Sequence, residues 1–143
     1  MKKYFLGVLL LAPLWSQAQN FDSQIEQRQQ AFKSIEQQSE RVESLLDNHD
    51  LQWNEIIKAS EQLVSHSQSL FGLFPTGSDS NSKAKIEIWQ DSEKFHNLLH
   101  QMILGFTQLN LGAQNQNQTL SQQGLEAAQK TCRNCHRTYR SRW

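Results

Sequence analysis

From residue 21 to about residue 48, apolar side chains return every three, four or seven positions, at Ile25, Phe32, Ile35, Val42, Leu45 and Leu46, with Gln, Glu and Ser between them. That period marks one face of an α-helix. Asn48-His49-Asp50 interrupts it, and a second series (Trp53, Ile56, Ser60, Leu63, Ser67, Leu70, Phe74) predicts another helix that ends before Pro75. Residues 75–83 are turn formers without periodicity and read as the main loop. Ile88, Phe95, Leu99, Met102, Phe106 and Leu109 predict a third helix over about 86–111, and residues 112–117 a short polar connection. The last helix, about 118–140, sets Leu120, Gly124, Ala127, Thr131 and Cys135 on one face. Helices of similar length with one apolar seam each predict an all-α fold, an antiparallel four-helix bundle.

The first residues do not share this pattern. Lys2 and Lys3 precede an apolar run from Tyr4 to Trp15, and Ser16-Gln17-Ala18 supplies small residues where a signal peptidase reads. Residues 1–18 are therefore expected to be a signal peptide and residues 19–143 the mature domain. The run is shorter than the roughly 20 residues a membrane span needs, so no span is expected after cleavage. The whole chain holds 14 basic and 14 acidic residues, and the leader takes two lysines and no acid, which leaves a net charge of −2. A bulk positive field of the kind that draws nucleic acid is absent. The charges are nevertheless uneven, because Lys130, Arg133, Arg137, Arg140 and Arg142 crowd the C-terminal end.

The chemistry concentrates at Cys132-Arg133-Asn134-Cys135-His136, a C-x-x-C-H pattern. On a helix, a spacing of three puts both thiols on one side, where they can add across the vinyl groups of a haem, with the adjacent imidazole in reach of the iron. An exported chain also admits a disulfide. A thioredoxin-like pair would want a βαβ context, and a zinc site would want further ligands. Export, helical context and the adjacent His favour haem c, one group bound through Cys132 and Cys135 with His136 as the iron ligand.

Three separated segments resemble the cytochrome c′ family, the four-helix-bundle class of c-type cytochromes. They are Arg28-Gln29 with Lys33; Phe74-Pro75-x-Gly77 leading through Lys83-Ala84-Lys85 to Glu87-Ile88-Trp89; and Cys132 to His136 followed by Tyr139-Arg140. One departure is Gln129, three residues before the first motif Cys, where relatives usually have Gly. The resemblance implies that Arg28 lies at the haem edge beside a propionate, with Gln29 next to it and Lys85 contributing similarly. A guanidinium suits a carboxylate at the mouth of a low-dielectric pocket. In methionine-ligated relatives a Met stands four residues after this Arg; here that position is Phe32, which has no lone pair to donate. Met102 falls in the third helix, away from the distal face of the family pattern. The resemblance thus implies five-coordinate, high-spin iron under an apolar distal wall of Phe32, Phe71 and Phe74. By spacing alone, Phe32 reads first as an ordinary core aromatic on a helix seam.

Arg140, four residues after His136, either flanks the proximal ligand as in the family or acts as a helix C-terminal cation. His96 and His100, four apart, present a possible metal pair, against which stands the reading of two solvated histidines. A second stripe, Ile57 and Val64, offers a homodimer contact of the sort the family forms. The expected function is a periplasmic haem protein that binds nitric oxide and carbon monoxide and carries or scavenges nitric oxide. The alternative is an electron-transfer cytochrome with a periplasmic redox partner. A peroxidase would want distal His and Arg at the iron, and Phe32 argues against an enzyme.

Overall fold

The structure is a computed structural model that describes residues 21–80 and 82–142. The predicted leader lies outside the described residues. Helix α1 runs Asp22–Leu46, α2 Trp53–Ser69, α3 Glu87–Gln90, α4 Ser92–Gln114 and α5 Gln118–Tyr139, with a 3-10 turn, η1, at Leu70–Gly72 after α2. The four long helices form the antiparallel bundle that the periodicity predicts. Their seams meet in one core in which Val42, Ile56, Leu63, Phe95, Phe106 and Leu109 are almost wholly buried. Each such side chain contributes about 1.5–3 kcal/mol by leaving water. None of the described helices is long and apolar enough to cross a membrane.

Two boundaries differ from expectation. The third helix is broken at Asp91 (φ −130°, ψ 56°), which separates the single turn α3 from α4. Ile88 and Phe95 are one heptad apart, so the apolar phase continues across the break. At the break Trp89 Nε1 donates to the carbonyls of Phe74 and Pro75 at 3.1 and 3.0 Å, tying α3 to the loop. At its other end α4 continues to Gln114, and the connection shrinks to residues 115–117. Asn117 caps α5 by accepting from the Leu120 N–H at 3.0 Å, and Gln116 takes a left-handed φ of 52° in the turn.

Glycines set the closeness of α4 and α5. A Cβ on Gly124 would run into the backbone nitrogen of Leu109, and one on Gly105 would stand 2.7 Å from that of Ala128. The seam between α4 and α5 is therefore backbone against backbone, and α1 packs closely on α2 and α2 on α4. By contrast α1 and α5 meet only lightly. Their ends are joined by Gln118 Nε2 donating to the Leu46 carbonyl at 2.8 Å, and Gln129 Nε2 reaches Glu43 at 3.3 Å. Gln129, the departure from the family pattern, thus lies on the loosely closed side of the bundle and bridges it.

Candidate functional site

Helix α5 carries Cys132 and Cys135 one turn apart, unpaired, half-buried and packed against the same core as Phe32 and Phe74. Burial, helped slightly by Cys132, pushes the Cys135 thiol up to about 11, and burial also raises that of Cys132. His136 follows on the outer side of the helix. Its imidazole is exposed by area yet partly desolvated; desolvation first, and the Arg140 cation second, lower its pKa and favour the neutral ring that ligates metals.

Opposite, α1 places Arg28 on its apolar stripe, one turn from Ile25 and from Phe32. Arg28 is only 3% exposed. Its Nη1 donates to the Leu73 carbonyl at 3.2 Å and Ser78 Oγ at 2.8 Å; its Nη2 donates to the Ser78 carbonyl at 2.6 Å and Ser82 Oγ at 2.9 Å. Burial lowers its pKa and Asp79 partly offsets this. The expected haem-edge residue is therefore also the anchor of the 73–82 loop. Ser78, 1% exposed, and Ser82 are hydrogen-bond partners of Arg28 that the sequence does not announce, since serine in a loop carries no signal of burial. Gln29 is exposed on the neighbouring face.

An aromatic chain leads inward from the loop. Phe74 meets Phe32 edge to face at 6.4 Å and Phe95 at 4.8 Å, and Phe95 meets Tyr139 at 5.4 Å. Tyr139 is a core aromatic whose hydroxyl pKa is raised by burial. Phe71 lies apart from the Phe32–Phe74 pair. It is 42% exposed and turned to His96, 5.7 Å away, because in the 3-10 turn one residue beyond Leu70 is about 120° further round. His96 is thereby packed on Phe71 and Phe95. No group of three potential metal ligands occurs among the described residues, so His96 and His100 have no third partner there.

Lys85 ties the loop to the end of α5. Its Nζ donates to the Thr138 carbonyl at 3.1 Å, and its backbone N–H to that of Tyr139 at 3.0 Å, capping the end of α5. Ser141 N donates to the Lys83 carbonyl at 2.9 Å, so segments 83–85 and 139–141 form one short antiparallel bridge. Helix α5 ends at Tyr139, one residue sooner than predicted, and Arg140 leaves it in an extended conformation. It still shares an open cleft of about 380 Å³ with His136, Lys83, Arg137, Ser141 and Arg142.

A helical bundle with two thiols and an imidazole at C-x-x-C-H spacing defines the class of four-helix c-type haem proteins. The family model for cytochrome c′ matches residues 23–140, and the chain belongs to that family. Similar solved structures include cytochrome c′ from Thermochromatium tepidum (19% identity, 86% of this chain and 98% of that one, TM-score 0.79). The protein from Shewanella frigidimarina is 22% identical with the same coverage and TM-score. A ferrous arginine-to-lysine variant of the Alcaligenes xylosoxidans protein with bound NO is 18% identical (87% and 98%, TM-score 0.78). A search among curated proteins found no match.

The residues fit haem c. Both thiols stand on the inward side of α5, the adjacent imidazole is held toward its neutral form, and the lightly closed α1/α5 side is where a flat group can enter. Cys132 and Cys135 would form the thioethers and His136 would ligate the iron.

Proposed function

We propose that this chain is an exported periplasmic haem protein that binds nitric oxide and carbon monoxide, and carries or scavenges nitric oxide rather than turning over a substrate. When bound, haem c supplies an iron that exchanges one electron and accepts a diatomic gas on its open side. The observation that carries the reading is the Phe32–Phe74 pair. At the position where methionine-ligated relatives hold their ligand there is a hydrocarbon ring, backed edge to face by another. Met102 is sunk in the core on α4 and takes no part. This arrangement supports five-coordinate, high-spin iron, with His136 as the single protein ligand.

An apolar wall also discriminates among gases. Bound dioxygen develops negative charge and gains from a donor, which for a charged acceptor is worth about 1.5–3 kcal/mol; nitric oxide and carbon monoxide depend on it far less. The wall that Phe32 and Phe74 form offers no such donor. Two of the similar structures support the reading by what they are: one is the NO-bound variant above, and another is of a cytochrome c′ with ligand-controlled dimer dissociation. A homodimer through α1 and α2 belongs to the proposal, since Ile57 and Val64 pack against the core yet keep part of their surface.

The test is a visible spectrum of the reduced holoprotein, alone, with carbon monoxide and in air-saturated buffer. We expect high-spin ferrous haem, a carbon monoxide complex, and oxidation without a lasting oxygenated form. A low-spin ferrous spectrum that ignores carbon monoxide would instead make the chain a simple electron carrier. That second reading is favoured by one feature, the basic cleft beside His136.

A further inference from the structure

Helix α4 carries two seams, and the bundle fills only one of them. Phe95, Leu99, Met102, Phe106 and Leu109 are buried in the core. On the other side Asn97, His100, Leu104, Thr107, Leu111 and Gln114 are all exposed, and their spacing by threes and fours lines them up along the helix within an arc of about 100°. Leu104 and Leu111, 55% and 52% exposed, are the most exposed large apolar side chains among the described residues. They stand one heptad apart, about 10 Å along the axis. From Phe95 to Leu125 the chain holds no Asp, Glu, Lys or Arg, whereas α1 and α2 expose Glu26, Lys33, Glu40, Arg41, Lys58 and Glu61.

We infer that the outer face of α4 is a contact between two copies of this chain, antiparallel about a two-fold axis near Thr107, with Leu104 of each copy against Leu111 of the other. Charge selects the occupant. Near a two-fold axis a side chain meets its own copy, so a charge there would face its like, and a face without charge is what such self-contact requires. A charged partner would find nothing on the stripe to read, and an anionic lipid surface no cation. Charge also selects the antiparallel sense. In a parallel pair Glu93 and Lys94 at the start of α4 would oppose their own copies, whereas the antiparallel pair lays them near the uncharged 115–117 turn and sets the positive end of each helix beside the negative end of the other. Next to Leu104, the side chains of Gln101, Gln108, Ala127, Lys130 and Asn134 line an open groove of about 350 Å³, and its amides supply the polar rim of such a contact. Lys130 lies beside Leu104 and off the axis, where it does not meet its own copy. The contact is separate from the one proposed through α1 and α2, and it stands apart from the haem reading.

The experiment is sedimentation equilibrium of the ferric holoprotein from micromolar to millimolar concentration. We expect self-association, and we expect the double variant L104E/L111E to halve the limiting mass, whether or not the α1/α2 contact also forms, by raising the dissociation constant of this contact at least about a hundredfold. Both leucines are more than half exposed, so the variant should keep the parent's haem spectrum and Tm. A second measurement reports position. With Cys132 and Cys135 in thioethers, Thr107→Cys introduces the one free thiol of the chain. A short bis-maleimide should link that thiol to its own copy, and L104E/L111E should abolish the link. Glu126→Cys, on the exposed side of α5, should not be linked. A mass that L104E/L111E leaves unchanged, or a Thr107→Cys link no more frequent than that of Glu126→Cys, would overturn the inference. So would binding of the parent to phosphatidylcholine vesicles that L104E/L111E abolishes while Thr107→Cys gives no link, since the leucines would then serve a lipid surface. Absence of covalent haem would be visible in the starting spectrum and would count against the haem reading, while sedimentation would still judge the α4 contact.

Discussion

The guanidinium carbon of Arg28 lies 4.7 Å above the centre of the Phe74 ring, and that ring meets Phe32 edge to face. One buried cation thereby holds both the loop carbonyls and the aromatic wall. Its position on the apolar stripe of α1 makes it a core residue whose polarity is met by Leu73, Ser78 and Ser82.

Arg28→Ala should accordingly cost on the order of 3 kcal/mol, because it strands buried acceptors and removes the cation above Phe74. Arg28→Lys should recover less than half, since a single nitrogen cannot serve the same set of acceptors. Urea unfolding of the holoproteins measures both. A loss below about 1 kcal/mol in Arg28→Ala would remove Arg28 from its anchoring role.

The tight seam between α4 and α5 predicts opposite outcomes at two glycines. Gly124→Ala drives a methyl group into the Leu109 backbone and should destabilise by roughly 1–3 kcal/mol, in spite of alanine's helix propensity. Gly72→Ala meets open space and should stay within about 0.5 kcal/mol of the parent. Thermal unfolding distinguishes them, and equal effects would mean that the close approach is relaxed in solution.

Haem attachment should require both thiols and should occur before α5 packs. Buried Cys135, with its pKa near 11 against an ordinary 9.0, is almost entirely protonated at neutral pH and so a poor nucleophile. In the folded haem-free chain, alkylation by iodoacetamide at pH 8 should be at least about tenfold slower than in urea. The sign for stability follows. A raised folded pKa stabilises the fold below pH 9, and this contribution is lost as pH rises from 9 toward 11. Thioether formation abolishes that titration, so the holoprotein should lack this alkaline loss. Cys132→Ser or Cys135→Ser should weaken haem retention in acidified solvent, and full covalent retention in both would contradict the double anchor.

Phe32→Met should place a thioether at the distal position and convert high-spin iron to low spin, with carbon monoxide binding slowed as the new ligand must leave. Electronic absorption and electron paramagnetic resonance read the change. An unaltered spin state would mean that Phe32 does not face the iron.

The sequence by itself determined the four long helices, their amphipathic faces and the Cys132–His136 motif, because these depend on periodicity and on neighbours along the chain. The break at Asp91 escaped it: Ile88 and Phe95 keep the helical phase, while the short turn before the break is tied by Trp89 to Phe74 and Pro75, 15 and 14 residues away. Phe71 was legible in principle, being off the stripe of Leu70 and Phe74, yet only packing showed it against His96. Tertiary structure alone decided that Lys85 caps α5, that Lys83 joins the C-terminal arginines, and that Arg28 bonds Ser78 and Ser82. Hydrogen bonds and charge clusters depend on which atoms folding brings within about 3 Å, and residues 50 positions apart leave no mark of that distance in their order along the chain.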